Sequence, residues 1–184
     1  MNNRKSYYFI KSGLPEGVAE IMKKECSGVD VESSLAYGGH EGRKSLNGWI
    51  TTDCWISAMM AYYIQYANKI LFNYDLTLWS DKIQYTVYNG KGSQYTWHND
   101  MLPVPSSFDN YSVRKLSISL CLSNKSDYEG GEFQIMHDPQ LMDTIKMGMG
   151  DIIVFPSDLT HRVRPLKSGT RISLVGWYGG PPFK

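Results

Sequence analysis

Apolar positions in the first 75 residues recur at intervals of three and four, and from residue 76 onward they alternate or run in short blocks. Leu14-Pro15-Glu16-Gly17 reads as the start of a helix, Val18, Ile21 and Met22 carry its apolar stripe, and Ser27-Gly28 stops it. This predicts a first helix over residues 15 to 26. Residues 31 to 47 are rich in Gly, Ser and charge and read as an exposed loop or strand pair. Ile56, Met59, Met60, Tyr63, Ile64, Ala67, Ile70 and Leu71 then define a long amphipathic helix from Cys54 to Asn73 whose stripe must lie on something flat and apolar. Its Met and aromatic members read as core filler. Strands are predicted at Lys82–Tyr88, Gln94–His98, Lys115–Leu122, Gly131–Met136, Asp151–Phe155 and Thr170–Tyr178, each β-branched, aromatic or alternating between Gly, Pro, Asn or Asp breaks.

Strands that follow two helices with no helical crossovers between them point to α+β rather than βαβ architecture. The expected form is a double-stranded β-helix, or jelly roll, with the N-terminal helices on one outer sheet face and a funnel between the sheets. With 184 residues, no repeats and no linker, one domain is expected, its helical support region over about 1–75 and its jelly-roll core over about 76–184.

Nineteen basic and eighteen acidic residues leave a net charge of +1 with no basic stripe, so nucleic acid is not an expected partner. No apolar run approaches the roughly 18 residues of a membrane span, and residues 1 to 6 do not lead into a signal-peptide pattern. A soluble cytoplasmic protein is the expectation; oligomeric state is not readable. Cys26, Cys54 and Cys121 are odd in number and far apart, and read as reduced packing or surface thiols.

Two separated fragments carry the candidate chemistry. In a strand, residues i and i+2 project to one face about 6 to 7 Å apart, so His98 and Asp100 can reach one ion while Asn99 points away. His161 follows an apolar strand and a turn that would deliver a third ligand. Two His and one Asp form the facial set that holds non-haem Fe(II) with open positions opposite. By the same parity, Arg171, Ser173, Val175 and Trp177 share one face, and Ile172, Leu174 and Tyr178 the other. A guanidinium on an apolar strand asks for an anion, which Ser173 and a tyrosine hydroxyl could help to hold.

The run Tyr88-x-Gly90-x-Gly92-x-x-Tyr95-x-x-His98-x-Asp100 resembles the signature of prolyl 4-hydroxylase-type 2-oxoglutarate and Fe(II)-dependent dioxygenases. Tyr128 to Phe133, Gly150-Asp151 to Ser157, His161-Arg162-Val163, Gly169 to Leu174 and Gly176-Trp177 follow in the order found in bacterial and phage PKHD-type members. The likeness is strong over roughly residues 80 to 180 and rests on a similar plan before that. It implies Fe(II) held by His98, Asp100 and His161. Arg171 would meet the distal carboxylate of 2-oxoglutarate, with Tyr88 and Ser173 assisting, and Tyr95 and Trp177 would line the mouth near substrate. It also implies O₂ as second co-substrate, ascorbate as a possible reductant, and release of succinate and CO₂. No second co-substrate tyrosine stands on Leu116–Leu122, where Ser119 is the candidate substitute.

A prolyl residue in a peptide or protein is the expected target. A free amino acid or other small molecule and a non-catalytic jelly-roll binding domain are the alternatives. Nucleobase demethylases typically carry a second arginine where this chain has Trp177. Away from the motifs, His40 and His137 read as surface histidines, Trp97 as core, Asp151 as a turn residue, and Glu129 and Glu132 as solvated. Arg43 and Lys44 fall in the early loop, open to either solvent or substrate.

Overall fold

The computed structural model describes residues 6–34, 42–101 and 112–182. Its strands are β1 (Tyr8–Ile10), β2 (Glu32–Ser34), β3 (Arg43–Ile50), β4 (Ile83–Asn89), β5 (Gln94–His98), β6 (Val113–Cys121), β7 (Tyr128–Gly130), β8 (Phe133–Asp138), β9 (Leu141–Ile145), β10 (Ile152–Pro156), β11 (His161–Val163) and β12 (Leu166–Gly180). The helices are α1 (Glu16–Cys26) and α2 (Trp55–Ala67), the latter running into a π-helical turn at Asn68–Phe72. No helix among the described residues is long and apolar enough to cross a membrane.

All pairings among the named strands are antiparallel; ten strands follow one path, β1-β10-β6-β12-β4-β3-β5-β11-β8-β9, and off it β2 pairs with β3 and β7 with β12. Strand β3 turns the corner. Its Leu46–Ile50 segment pairs with β4, whereas Arg43 and Lys44 pair with Tyr95 and Gln94 of β5. One strand therefore belongs to both sheets, and the sheet curls around the space between them.

Side-chain alternation assigns the two faces of the larger sheet. Leu116, Ile118 and Leu120 of β6, Ile152 and Val154 of β10, Ile83 and Tyr85 of β4 and Leu174 of β12 form one core cluster with Ala19, Met22, Ile56, Met60 and Ile64 of the helices. Each large aliphatic side chain buried there contributes about 1.5–3 kcal/mol relative to exposure. The opposite parity turns inward: Cys121, Ile153 and Phe155 join a second cluster with Tyr88, Tyr128, Phe133, Ile135 and Val163. The parity read from β12 holds, since Arg171, Ser173, Val175 and Trp177 all line the inner cavity while Ile172, Leu174 and Tyr178 belong to the helix side.

Several expectations need correction. The second helix is α-helical only to Ala67; the wider π turn that follows shifts the phase of the stripe, leaving Ile70 52% exposed. It ends at Asn73, a left-handed residue with φ 54°, where the Asn68 side chain bonds both the N–H and the carbonyl of Tyr74. Ile21 also faces outward, at 59% exposure, because Ala19, Met22 and Cys26 form the buried stripe of α1. Trp97 is half-buried rather than core, with the Arg162 guanidinium 4.3 Å above its ring. Arg43 and Lys44 begin a strand instead of lying in a loop. Strands β1, β7 and β11, of three residues each, and β9 were not predicted; they are too short or too polar to show alternation. His40 lies outside the described residues.

Asp151 does act at a turn: its carboxylate accepts the N–H groups of Ser12 and Gly148, and Gly150 before it adopts φ +78° against the carbonyl of Leu14. Cys26, Cys54 and Cys121 are free thiols. Burial pushes the Cys26 thiol up to about 12.

Candidate metal centre and anion pocket

His98 is the last residue of β5 and His161 the first of β11, and the register places them directly opposite each other. Asp100 lies two residues past the end of β5, so it does not share a strand with His98; its N–H is held by the carbonyl of Ser157, which follows β10. The three side chains each offer a donor atom, and these atoms all lie within 4.8 Å of one another. His98 Nε2 stands 3.8 Å from Asp100 Oδ1, and His161 Nε2 stands 3.5 Å from Asp100 Oδ2.

The backbone selects the tautomers. His98 Nδ1 lies 2.8 Å from the carbonyl of Thr96 and His161 Nδ1 lies 2.9 Å from that of Leu159. A carbonyl only accepts, so each Nδ1 carries a proton and each Nε2 is the nitrogen turned toward the centre. Burial first, and the neighbouring His161 second, push His98 down to about 4, so it is neutral at physiological pH. Burial pushes Asp100 up, but the neighbouring His161 and His98 and a hydrogen bond from Ser117 outweigh it and hold the carboxyl below its usual range. Ser117 Oγ donates to Asp100 Oδ2 at 2.8 Å. Two imidazoles that turn Nε2 toward the centre and one carboxylate suit a borderline divalent ion such as Fe(II).

Arg171 occupies the same cavity, about 260 Å³ in volume. It is 1% exposed, and no carboxylate pairs with it among the described residues. Its Nη1 donates to Ser173 Oγ at 3.1 Å, its Nη2 meets only the thioether of Met147 at 3.7 Å, and its Nε has no partner. Tyr88 sits opposite it across β4 and β12, with the guanidinium 5.6 Å from the ring centroid. A buried cation with spare donors is a site for an anionic group.

Tyr95 and Trp177 both line the cavity. The Tyr95 ring stacks on His98 at 3.5 Å, and the Trp177 ring carries the Arg114 guanidinium at 4.1 Å. Ser119 is buried and also reaches the wall. Among the described residues, the structure thus gathers His98, Asp100, His161, Arg171, Tyr88, Ser173, Tyr95, Trp177 and Ser119 in one place.

Sequence reasoning missed Ser117 and Arg114, and left Arg43 open between solvent and substrate; the structure puts it in the cavity wall. Ser117 had a faint signal as a hydroxyl at inner parity in an apolar strand. Arg43, Ser45 and Asn47 likewise alternate as polar residues. Arg114 had none, because its partners, Asp81 and the carbonyl of Asp100, are distant in the chain.

A profile of the 2OG-Fe(II) oxygenase superfamily matches residues 83–179, more than half of the chain. The chain belongs to the 2OG-Fe(II) oxygenase superfamily. Within that superfamily, it is similar to a PKHD-type hydroxylase of Synechococcus sp. (strain CC9902), 41% identical over 88 residues, which are 47% of this chain and 36% of the relative. A PKHD-type hydroxylase of Idiomarina loihiensis is 36% identical over 87 residues, 47% of this chain and 37% of the relative. The chain thus matches little more than a third of the length of these relatives.

The fold of this superfamily member is shared along nearly the whole chain by a Pseudomonas putida prolyl-4-hydroxylase, with a TM-score of 0.71, 19% identity and 96% and 94% coverage of the two chains. A Trichoplax adhaerens prolyl hydroxylase, solved with a hypoxia inducible factor peptide fragment, gives a TM-score of 0.70, 21% identity and 96% and 84% coverage. At these identities the likeness concerns the fold, a curled antiparallel sheet with few helices.

Proposed function

We propose that this chain is a 2-oxoglutarate- and Fe(II)-dependent dioxygenase, a single domain over residues 1–184, that hydroxylates a prolyl residue in a peptide or protein. One observation carries the reading: three metal-competent donors within 4.8 Å of one another share a cavity with a buried arginine that has no counter-ion among the described residues. His98 Nε2, Asp100 and His161 Nε2 would hold the ferrous ion. Arg171, with Ser173 and Tyr88, would hold the distal carboxylate of 2-oxoglutarate. When bound, the metal and co-substrate supply the oxidising chemistry, with O₂ consumed, succinate and CO₂ released, and ascorbate serving as reductant.

The protein's own part is positioning. Thr96 and Leu159 fix the imidazole tautomers through their carbonyls, and Ser117 aims the Asp100 carboxylate. Phe133 and Phe155 lie against His161 at 5.5 and 4.6 Å between ring centroids and keep that side of the centre dry. Tyr95 and Trp177 line the same cavity and would form walls against which a pyrrolidine ring rests. Hydroxylation is supported by the PKHD-type hydroxylase relatives, and the prolyl target by the prolyl-hydroxylase fold neighbours.

Anaerobic titration with Fe(II), then succinate release with and without prolyl peptides or free proline on admission of air, tests the reading. Fe(II) should bind one per chain and a peptide should gain one oxygen atom. Asp100→Ala should abolish metal binding and turnover while leaving the melting temperature within a few degrees. A protein that neither binds Fe(II) nor forms succinate would sink the assignment, and retained metal binding in Asp100→Ala would move the centre elsewhere.

A further inference from the structure

The cavity holds a second cation that the proposed chemistry does not use. Arg43 starts β3 at the point where this strand leaves β4 for β5, and it lines the same cavity as the triad. Its guanidinium lies 4.5 Å over the Tyr95 ring, whose other face must be the one stacked on His98 at 3.5 Å, since two groups cannot occupy the same face. One aromatic layer therefore separates the Arg43 charge from a metal-competent imidazole.

Everything that holds Arg43 is neutral. Nε donates to Ser45 Oγ at 2.8 Å, and Nη2 donates to Asn47 Oδ1 at 2.9 Å, Gln84 Oε1 at 2.8 Å and, more weakly, Thr86 Oγ1 at 3.4 Å. Among the described residues no acceptor reaches Nη1, and no carboxylate pairs with the guanidinium. Four neutral oxygens fix the fork without cancelling its charge. Arg114, the other arginine at the mouth, is by contrast neutralised by Asp81.

The charge balance of the proposed centre sharpens the contrast. A ferrous dication, a 2-oxoglutarate dianion, Asp100 and Arg171 together cancel, which leaves Arg43 as the uncompensated charge of the cavity among the described residues. A pre-organised guanidinium loses little freedom on binding and prefers planar, two-oxygen anions.

The geometry points to Arg43 as an anion anchor for the substrate, so that the molecule hydroxylated carries a carboxylate close to its target carbon. This rests on the proposed function and narrows it to prolyl substrates with an acidic neighbour or a free terminal carboxylate.

The test measures binding rather than turnover, using the Fe(II)- and 2-oxoglutarate-loaded protein without oxygen. The probes are Ac-Asp-Pro-Gly-NH2, Ac-Gly-Pro-Asp-NH2 and Ac-Gly-Pro-OH, each against its neutral Asn or amide counterpart. At least one carboxylate probe should bind roughly tenfold or more tighter than its counterpart, as expected for a charge-assisted contact. Which probe does so tells a side-chain carboxylate from a terminal one. The preference should shrink with added salt, vanish in Arg43→Gln and be partly restored in Arg43→Lys. Gln84→Glu keeps Arg43 but places a carboxylate against it, and should abolish the preference too, which covers the case in which Arg43→Gln fails to fold. A purely structural strut would lower stability without creating or removing any charge preference. Equal binding of charged and neutral probes to the wild type, or an undiminished preference in Gln84→Glu, overturns the assignment. Binding of 2-oxoglutarate is followed separately by the absorbance of the ferrous protein. If it fails, the proposed function falls; if it succeeds while the probes do not discriminate, only the Arg43 anchor falls.

Discussion

Replacing Arg171 with methionine separates an anion anchor from a structural arginine. The side chain is fully buried, donates one hydrogen bond to Ser173 and makes one weak contact to Met147, and its Nε has no partner among the described residues. Removing a buried, uncompensated charge in favour of an apolar chain of similar reach is close to neutral or stabilising. The melting temperature of the ligand-free Arg171→Met protein should therefore match or exceed that of the wild type. The loss appears on binding. Two charge-assisted hydrogen bonds to a carboxylate, taken together conservatively, are worth about 3 kcal/mol, or roughly 150-fold in the dissociation constant of 2-oxoglutarate. At a co-substrate concentration about 100 times the wild-type constant, linkage stabilises the wild type by about 2.7 kcal/mol and the variant by about 0.3 kcal/mol. For a chain of this size those values correspond to upward shifts in melting temperature of about 5–11 °C and about 1 °C. Calorimetric titration of the metal-loaded protein, with thermal melts in parallel, reads both quantities. Equal shifts in the two proteins would refute Arg171 as the anchor, and a large loss of stability without ligand would make it a structural residue.

Acid should weaken the apo-protein through His98. Its folded value of about 4 lies below the usual 6.5, so the unfolded chain binds more protons between those values and stability falls as pH drops through that window. From pH 7 to pH 5 the loss should be about 2 kcal/mol, measured by urea unfolding; His98→Gln should remove most of it, and an unchanged slope would contradict the neutral buried imidazole. Asp100, held low, adds a loss only at lower pH, as the medium passes below the usual carboxylate range. Gly150→Ala should cost about 2 kcal/mol or more, because the residue sits at φ +78° and an added Cβ would stand 2.3 Å from the carbonyl oxygen of Leu14. A midpoint of denaturation within error of the wild type would show that the turn can relax.

What could be read from the chain was whatever has a short period. The spacing of three and four in α1 and α2 marked both helices, and alternation marked β4, β5, β6, β8, β10 and most of β12 to within a few residues. The same alternation sorted Arg171, Ser173, Val175 and Trp177 onto one face, the face that lines the cavity. It failed where local geometry breaks the period. The π turn rotated Ile70 out of the stripe, and β11 is too short to alternate although it delivers His161. His98 and Asp100 met at one centre for a reason other than strand parity: the chain leaves β5 at His98, and a long-range hydrogen bond from Asp100 N–H to Ser157 places the carboxylate.

The sequence by itself therefore determined the residue types of the centre, their order and the strands that carry most of them. Those properties depend on side-chain chemistry and on periodicity, both local along the chain. Only the tertiary structure decided that His161 faces His98 across a strand pair, that Ser117 holds Asp100, and that Arg171 lacks a carboxylate partner among the described residues. It also decided that Arg43 enters the cavity, because β3 crosses from one sheet to the other there. Contacts of this kind join residues dozens of positions apart, and no short-range pattern records which of many polar side chains will be brought together when the sheet curls.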